Sequence, residues 1–513
     1  MVVGVACGAR YGRRAMGNLT SSLGVLLCAG AAACSSGQQP VDASDSGADL
    51  SSPMDATVID VPVVDVTPDY LRPPDVVRAA TEATRTTERT ACTFGAGSWP
   101  AETLGVEFPL GTDIPVDHVI LLMMENRSFD HYFSQLPAAG QTDVTVAPAG
   151  WTNPNASGTA VPRMHDTTYC VEDTNHGWNG SHRQWNNGAM DGFLVTNDPG
   201  GDRSLAYQDA TDIPFYYGLA TTFAIADHYH CSLLGPTMPN RHYSMAATSF
   251  GFTYNTVLSN DSATNPLNNI FRRLDAAGLD WKEYSGGLRT LATFLYYGIL
   301  RRQTAPHLAT LAQLTSDMAA GTLPPFALVE PDFSGTGGDR YDEHPPGTPQ
   351  AGEVWVESIV RALFASPAWS RTVLFITYDE HGGFADSVPP PRACPPDDLV
   401  PVRYDGDAGT NVPTGEAFDR LGFRVPFIVV SPYAKRHFVS HTTYDHTSIL
   451  RFIEARFGLP AMTRRDANAT PPFDMFDFQN PPFVTPPTLP AARGVDAALR
   501  SRCNTAFPNS GGL

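Results

Sequence analysis

The sequence predicts an α/β fold: a mostly parallel sheet with helices on both faces and long loops. The first observation is a set of short apolar runs without alternation, at 119–124, 326–329, 373–378 and 425–430. Such runs read as strands buried on both faces of a sheet. The second is what separates them. Residues 353–364 place Val356, Ile359, Val360 and Leu363 on one helical face. A further helix is expected from about Ser448 to Phe457, with Gly458 ending it in a left-handed turn. Strand–helix–strand alternation implies parallel pairing. The third is the 44 Pro and 44 Gly among 513 residues, which imply long structured loops.

The formal charge of −19 argues against nucleic acid or an anionic membrane held by charge alone. Arg10, Arg13 and Arg14 precede a short apolar stretch at 23–28, too short to span a bilayer, followed by small residues and Cys34. This pattern is expected to be an export signal over 1–34, with Cys34 lipidated as the mature N-terminus. The stretch 35–90 is expected to be an acidic Ser/Asp/Pro-rich tether, since Asp42, Asp45, Asp49, Asp55, Asp60 and Asp65 repel one another. Residues 91–513 would then be the catalytic domain, at the cell envelope or outside the cell. Five cysteines follow Cys34, namely Cys92, Cys170, Cys231, Cys394 and Cys503. They match no zinc spacing and read as structural. An odd number leaves at least one unpaired, and the pairing is not legible.

Two of the apolar runs end in acid pairs. Met124 is followed by Glu125-Asn126, and Tyr378 by Asp379-Glu380. Ligands bind beyond the carboxyl ends of parallel strands, so two strands are expected to deliver oxygen donors to one sheet edge. A third feature is Gly235-Pro236-Thr237-Met238-Pro239-Asn240-Arg241. It places Thr237 at a helix start, where main-chain N–H groups favour an anion. Thr237 there is either an N-cap or a nucleophile with Arg241 nearby. Two histidine-bearing loops complete the set: Asp173-Thr174-Asn175-His176-Gly177-Trp178 with His182, and Asp342-Glu343-His344-Pro345-Pro346.

Together these segments resemble the bacterial phosphoesterase family that contains phospholipases C and acid phosphatases. The likeness also takes in Asp117-His118, Arg127-Ser128-Phe129-Asp130-His131, His381-Gly382-Gly383-Phe384 and Tyr444-Asp445-His446-Thr447-Ser448. The resemblance implies an alkaline-phosphatase-like fold and a metal-dependent phosphoric-ester hydrolase. It implies that Glu125, Asn126, Asp379 and Glu380 bind a metal, with Thr237 as the nucleophile that becomes phosphorylated. It further implies that His176 and His344 face the phosphate, with His182 a weaker candidate and Arg241 serving phosphate or local structure. One departure is visible: a histidine common after the glycines is here Ser387, so its role is absent or falls to His381.

Carboxylate and amide oxygens make a hard donor set, suited to Ca²⁺, Mg²⁺ or Mn²⁺. The expected substrate is a phosphate ester, phospholipid included. A sulfatase-like hydrolase is the second reading, although that chemistry needs Cys or Ser where Thr237 stands. A non-catalytic surface lipoprotein on the same fold is the third. Aromatic residues Phe250, Phe252, Tyr254, Phe294, Tyr296 and Tyr297 are expected to be core or to wall a pocket for an acyl or aryl group.

Overall fold

In the computed structural model the described residues are 76–197, 199–255, 268–286, 307–333, 337–402 and 417–508. The export signal, Cys34, most of the acidic tether and the aromatics Phe294, Tyr296 and Tyr297 lie outside them.

Eight strands form the central sheet: β1 (His118–Met124), β2 (Ala224–Ala226), β3 (Trp281–Ser285), β4 (Leu308–Thr310), β5 (Phe326–Glu330), β6 (Thr372–Tyr378), β7 (Phe427–Val430) and β8 (Phe438–Ser440). Their spatial order is β8-β2-β7-β6-β1-β5-β3-β4. Pairing is parallel throughout from β6 to β4 and between β8 and β2. This is the mostly parallel α/β sheet that the apolar runs predict. The central position of β1 and β6 follows from their composition, because every residue of both is buried except His118 at the start of β1.

One strand runs against expectation. β7 is antiparallel to both β6 and β2. An apolar run reports burial on both faces, which is the same for either strand direction. The run also begins two residues later than its hydrophobicity suggests. Pro426 has no N–H for the ladder, and its carbonyl instead accepts the Thr377 hydroxyl at 3.0 Å. β2, β3, β4 and β8 carry only three to five residues each, too short to give a periodic signal.

Six helices matter for the site. These are α1 (Phe129–Phe133), α2 (Trp178–Trp185), α3 (Pro214–Thr222), α4 (Thr237–Ala246), α5 (Pro349–Phe364) and α6 (His446–Phe457). α5 starts four residues earlier than its apolar face suggests, because Thr348 caps it by accepting from Ala351 N and Pro349 occupies the first turn. α6 opens on an Asp445–Ser448 capping box and ends at Gly458, whose φ is 65°.

Within the span expected as tether, Glu82–Thr90 is a helix. Its Arg89 is buried and donates to Thr103 O at 2.8 Å. Alternating charge with few apolar residues disguised it, since contacts with distant segments such as Gly105 N donating to Glu82 Oε2 at 2.7 Å hold it in place. The cysteines pair as Cys92–Cys394 and Cys170–Cys503, and Cys231 is free and buried. The loops closed span 302 and 333 residues, so each bridge removes considerable unfolded-state entropy, about 6 kcal/mol in the chain-entropy picture. Among the described residues no helix is long and apolar enough to cross a membrane.

Candidate active site

Register brings the two acid pairs together. Met124 lies opposite Tyr378 in the parallel β1–β6 ladder, so Glu125 and Asp379 leave the sheet side by side. Asp379 N donates to Met124 O at 3.1 Å. Asp379 Oδ1 then accepts from Asn126 N at 3.2 Å and from Glu380 N at 2.7 Å, which locks the two turns to each other. Asn126 adopts φ 62°, an uncommon conformation for a residue with a side chain and one found where a site demands it. Gly382 makes the approach possible, because a Cβ there would stand 2.4 Å from Asn126 O.

The same loop draws in the first histidine. The Thr174 hydroxyl donates to Gly382 O. His176 Nε2 thereby comes to 3.4 Å from Asn126 Nδ2 and 4.0 Å from Glu380 Oε1. His344 faces it, with the two rings 5.6 Å apart at 81°. Each ring is held by its Nδ1, at 2.6 Å from Thr174 O and from Pro345 O respectively. Nδ1 is therefore the protonated nitrogen in both, and Nε2 is left to act. Asp173 approaches the pair at 3.6 Å from His176 Nδ1 and 3.9 Å from His344 Nε2.

α4 supplies the third component. Thr237 is its first residue, on a turn pinned by the Asn240 amide donating to Gly235 O at 2.9 Å. Residues four apart on a helix share a face, so Arg241 shows which way Thr237 looks. Arg241 reaches Glu330 Oε1 at 2.8 Å, Asp379 Oδ2 at 3.3 Å and Glu125 Oε1 at 3.5 Å. Thr237 therefore lies on the side of α4 that carries Arg241. Arg241 is 1 % exposed and also donates to Met124 O. The contacts of Arg241 go to carboxylates and main chain.

Five oxygens of these candidate residues are buried without a hydrogen-bond partner: Oε1 and Oε2 of Glu125, Asn126 Oδ1, Glu380 Oε1 and Thr237 Oγ1. Orphaned buried oxygens cost roughly 1–3 kcal/mol each unless something satisfies them. Their number and hardness fit a divalent cation. Burial holds the Glu125 carboxyl well above its ordinary range, and Asp379 adds to the effect. Burial likewise pushes Glu380 up to about 8 against the pull of His176. Acids this reluctant to ionise call for positive charge beside them. Groups of three His, Asp or Glu whose donor atoms converge within 4.8 Å are, among the described residues, Asp173 with His176 and His344, and His165 with Asp209 and Asp212. The three site carboxylates form a wider set, with Arg241 bridging Glu125 and Asp379.

The histidines differ in charge. Burial opposes protonation of His176, but Glu380 and Asp173 outweigh it and raise the group to about 9. Burial lowers His344 to about 4, with Asp173 opposing. His182 is turned to its own helix, with Nδ1 2.7 Å from Trp178 O. His381 is buried with Nε2 2.7 Å from Gln184 Oε1. Ser387 donates through N and Oγ to Asp130 at 2.8 and 2.6 Å, so the position that carries a histidine elsewhere is structural here.

Two participants escape a sequence reading. Glu330 ends β5 and is the nearest partner of Arg241. Its signal was present, since an apolar run ending in an acid is the pattern that marks Glu125 and Asp379. His446 begins α6 and its Nε2 lies 2.8 Å from Asp379 O, a contact between residues 67 apart that no local pattern encodes.

A mostly parallel sheet with acids at adjacent strand ends, a helix-start hydroxyl and paired histidines fits a hydrolase of phosphoric esters. The Phosphoesterase family model matches residues 116–460, and the chain belongs to that family. Phospholipase C B of Mycobacterium tuberculosis is 34 % identical over 451 residues, covering 77 % of this chain and 82 % of the relative. The non-hemolytic phospholipase C of Pseudomonas aeruginosa is 33 % identical, covering 77 % and 62 %. Non-specific phospholipase C6 of Arabidopsis thaliana is 30 % identical, covering 73 % and 75 %. Among solved structures, a protein of the alkaline phosphatase superfamily from Vibrio parahaemolyticus overlaps with a TM-score of 0.30 at 12 % identity, covering 65 % of this chain and 77 % of that one.

Proposed function

We propose that this chain is an exported, metal-dependent phosphoric-ester hydrolase of phospholipase C or acid phosphatase type, acting through a phospho-threonine at Thr237. The observation that carries it is the set of five buried oxygens without a hydrogen bond on Glu125, Asn126, Glu380 and Thr237. Glu125, Asn126, Asp379 and Glu380 would hold Ca²⁺, Mg²⁺ or Mn²⁺. A divalent cation there would supply acidification of the Thr237 hydroxyl and neutralisation of phosphoryl charge.

The chain's own residues divide the remaining work. Thr237 Oγ1 attacks phosphorus as its proton passes to solvent water, a proton it takes back when phospho-threonine is hydrolysed, and the α4 N-terminus faces the charge that develops on the phosphoryl oxygens. His176, held protonated, gives its Nε2 proton to the departing alkoxide. His344, held neutral, takes a proton through Nε2 from the water that attacks phospho-threonine and frees phosphate or a phosphomonoester. Arg241 neutralises the acids beneath and keeps Asp379 oriented.

The relatives' names favour a phospholipid substrate, and the site itself recognises only the phosphate ester. Phe252 and Tyr254 stand edge to face at 5.7 Å. They lie close to the nucleophile in the chain's contacts, since Asn255 Oδ1 accepts from Met238 N at 2.9 Å. They would meet an acyl or aryl group of the substrate. Turnover of a soluble aryl phosphate is expected to be at least comparable to that of phosphatidylcholine micelles. Assaying both with and without chelator tests the reading. Strict dependence on a lipid interface would leave a dedicated phospholipase C instead, and chelator-resistant turnover would remove the metal.

Export through a lipoprotein signal is the remaining part. Cys34→Ser is expected to shift the protein from the membrane fraction to the soluble one. Unchanged fractionation, with no lipid on the N-terminal peptide, would leave cleavage and simple secretion.

A further inference from the structure

We propose that Glu343 is a positioning residue of this active site: its carboxylate, caged by three tyrosine hydroxyls, fixes the neighbouring His344 in its working place. The inference rests on the reading of His344 as a group that acts at the phosphate.

Glu343 takes no direct part in the chemistry above, yet it is fully buried. Its Oε2 accepts from Tyr132 Oη at 2.5 Å and Tyr378 Oη at 2.7 Å, and its Oε1 from Tyr216 Oη at 2.6 Å. Burial of an acid is costly, and an apolar side chain of similar volume would fill the space without that cost. The three donors reveal what the acid achieves. Tyr378 immediately precedes Asp379, Tyr132 lies on α1 just past Glu125 and Asn126, and Tyr216 lies on α3. One carboxylate therefore ties both acid-bearing strand ends to the loop that carries His344.

The main chain makes the same connection. Glu125 N donates to Asp342 O at 3.0 Å, and Arg127 donates to Glu343 O. Asp342 Oδ1 accepts from His344 N at 3.2 Å. Glu343 itself sits at φ 73°, a left-handed conformation that a side chain adopts only when its surroundings impose it. The cage is the imposing force. Room for it is made by α5, where Gly352 stands so close that a Cβ would lie 2.1 Å from Glu343 Oε1. A second buried acid braces the far wall: Glu353 Oε1 accepts from Phe215 N at 2.6 Å and from Tyr216 N at 3.2 Å, fixing the start of α3.

The amide of Glu343→Gln offers N–H donors where a carboxylate oxygen accepted hydroxyls, so tyrosines that donated must turn to accept, and bonds to an acid become weaker neutral ones. The loop then samples positions in which His344 misses its target, and small misplacements cost rate more than binding. With a soluble aryl phosphate, kcat is expected to fall by about 10- to 100-fold at nearly unchanged KM, with metal content unchanged. Tyr216→Phe, which removes one hydroxyl and keeps the ring, is expected to give a smaller loss of the same kind.

A double-mutant cycle separates positioning from general structural support. If Glu343 acts through His344, the Glu343→Gln/His344→Ala double variant is no slower than His344→Ala alone, within about twofold. Losses that multiply, or a Glu343→Gln variant with wild-type kcat, would overturn the inference alone. A His344→Ala variant with wild-type kcat would instead overturn the role given to His344, and the inference with it. Should Glu343→Gln fail to fold, Tyr132→Phe and Tyr216→Phe carry the same cycle.

Discussion

Thr237→Ala is expected to abolish turnover while leaving the fold and metal content intact. The side chain is buried at the start of α4, with a hydroxyl that has no hydrogen-bond partner. Removing it therefore breaks no contact that holds the helix, whose first turn is pinned by Asn240. Loss of a nucleophile that forms a covalent intermediate costs on the order of 10⁴-fold or more. Thr237→Ser should keep part of the rate, because the hydroxyl survives and only the methyl group that restricts its rotamer is lost. Acid quenching during turnover of a radiolabelled substrate should trap phosphate on the Thr237 peptide of the wild type. An alanine variant with a substantial fraction of wild-type rate would refute covalent catalysis.

Asp379→Ala and Glu380→Ala are each expected to lose bound metal and activity together. Asp379 is the joint between the two acid pairs, accepting from the main chain of Asn126 and Glu380 and pairing with Arg241. Its loss frees the Glu125 turn as well as one ligand. Glu380 is anchored on its other oxygen by Gly382 N at 2.7 Å, so its free oxygen is aimed and the alanine variant removes that ligand with little else. Activity should fall by about 10³-fold or more. Because burial pushes Glu380 up to about 8, cation uptake by that carboxyl must displace a proton, and affinity should weaken as pH falls through about 8. Metal content by plasma mass spectrometry, measured at two pH values, checks both statements. Full occupancy in both variants would place the metal elsewhere.

Residues local in sequence were the legible ones. The runs ending in Glu125 and Asp379 announce their own burial, and parallel register does the rest by setting them side by side. Thr237 was legible because Gly235-Pro236 and Pro239 mark a helix start. The same reasoning extends to Glu330, the last residue of β5, which closes an apolar run as Glu125 and Asp379 do. A sheet edge needs several acids before they imply a site, and a third acid satisfies that condition as well as the first two.

What the sequence by itself determined was the set of buried strands, the helices between them, and the residue types waiting at their ends. Hydrophobic period and turn chemistry act over a few residues, so they are readable one segment at a time. Only the tertiary structure decided how those ends are wired. It turned β7 antiparallel, chose Cys92–Cys394 and Cys170–Cys503 from five cysteines, and gave Arg241 to the carboxylates. It also closed the Tyr132, Tyr216 and Tyr378 hydroxyls around Glu343 and set His176 and His344 in opposite charge states. Each of these depends on which distant groups share one low-dielectric space. Hydrogen bonds and charges there are decided by separation in ångströms, and separation along the chain carries no record of it.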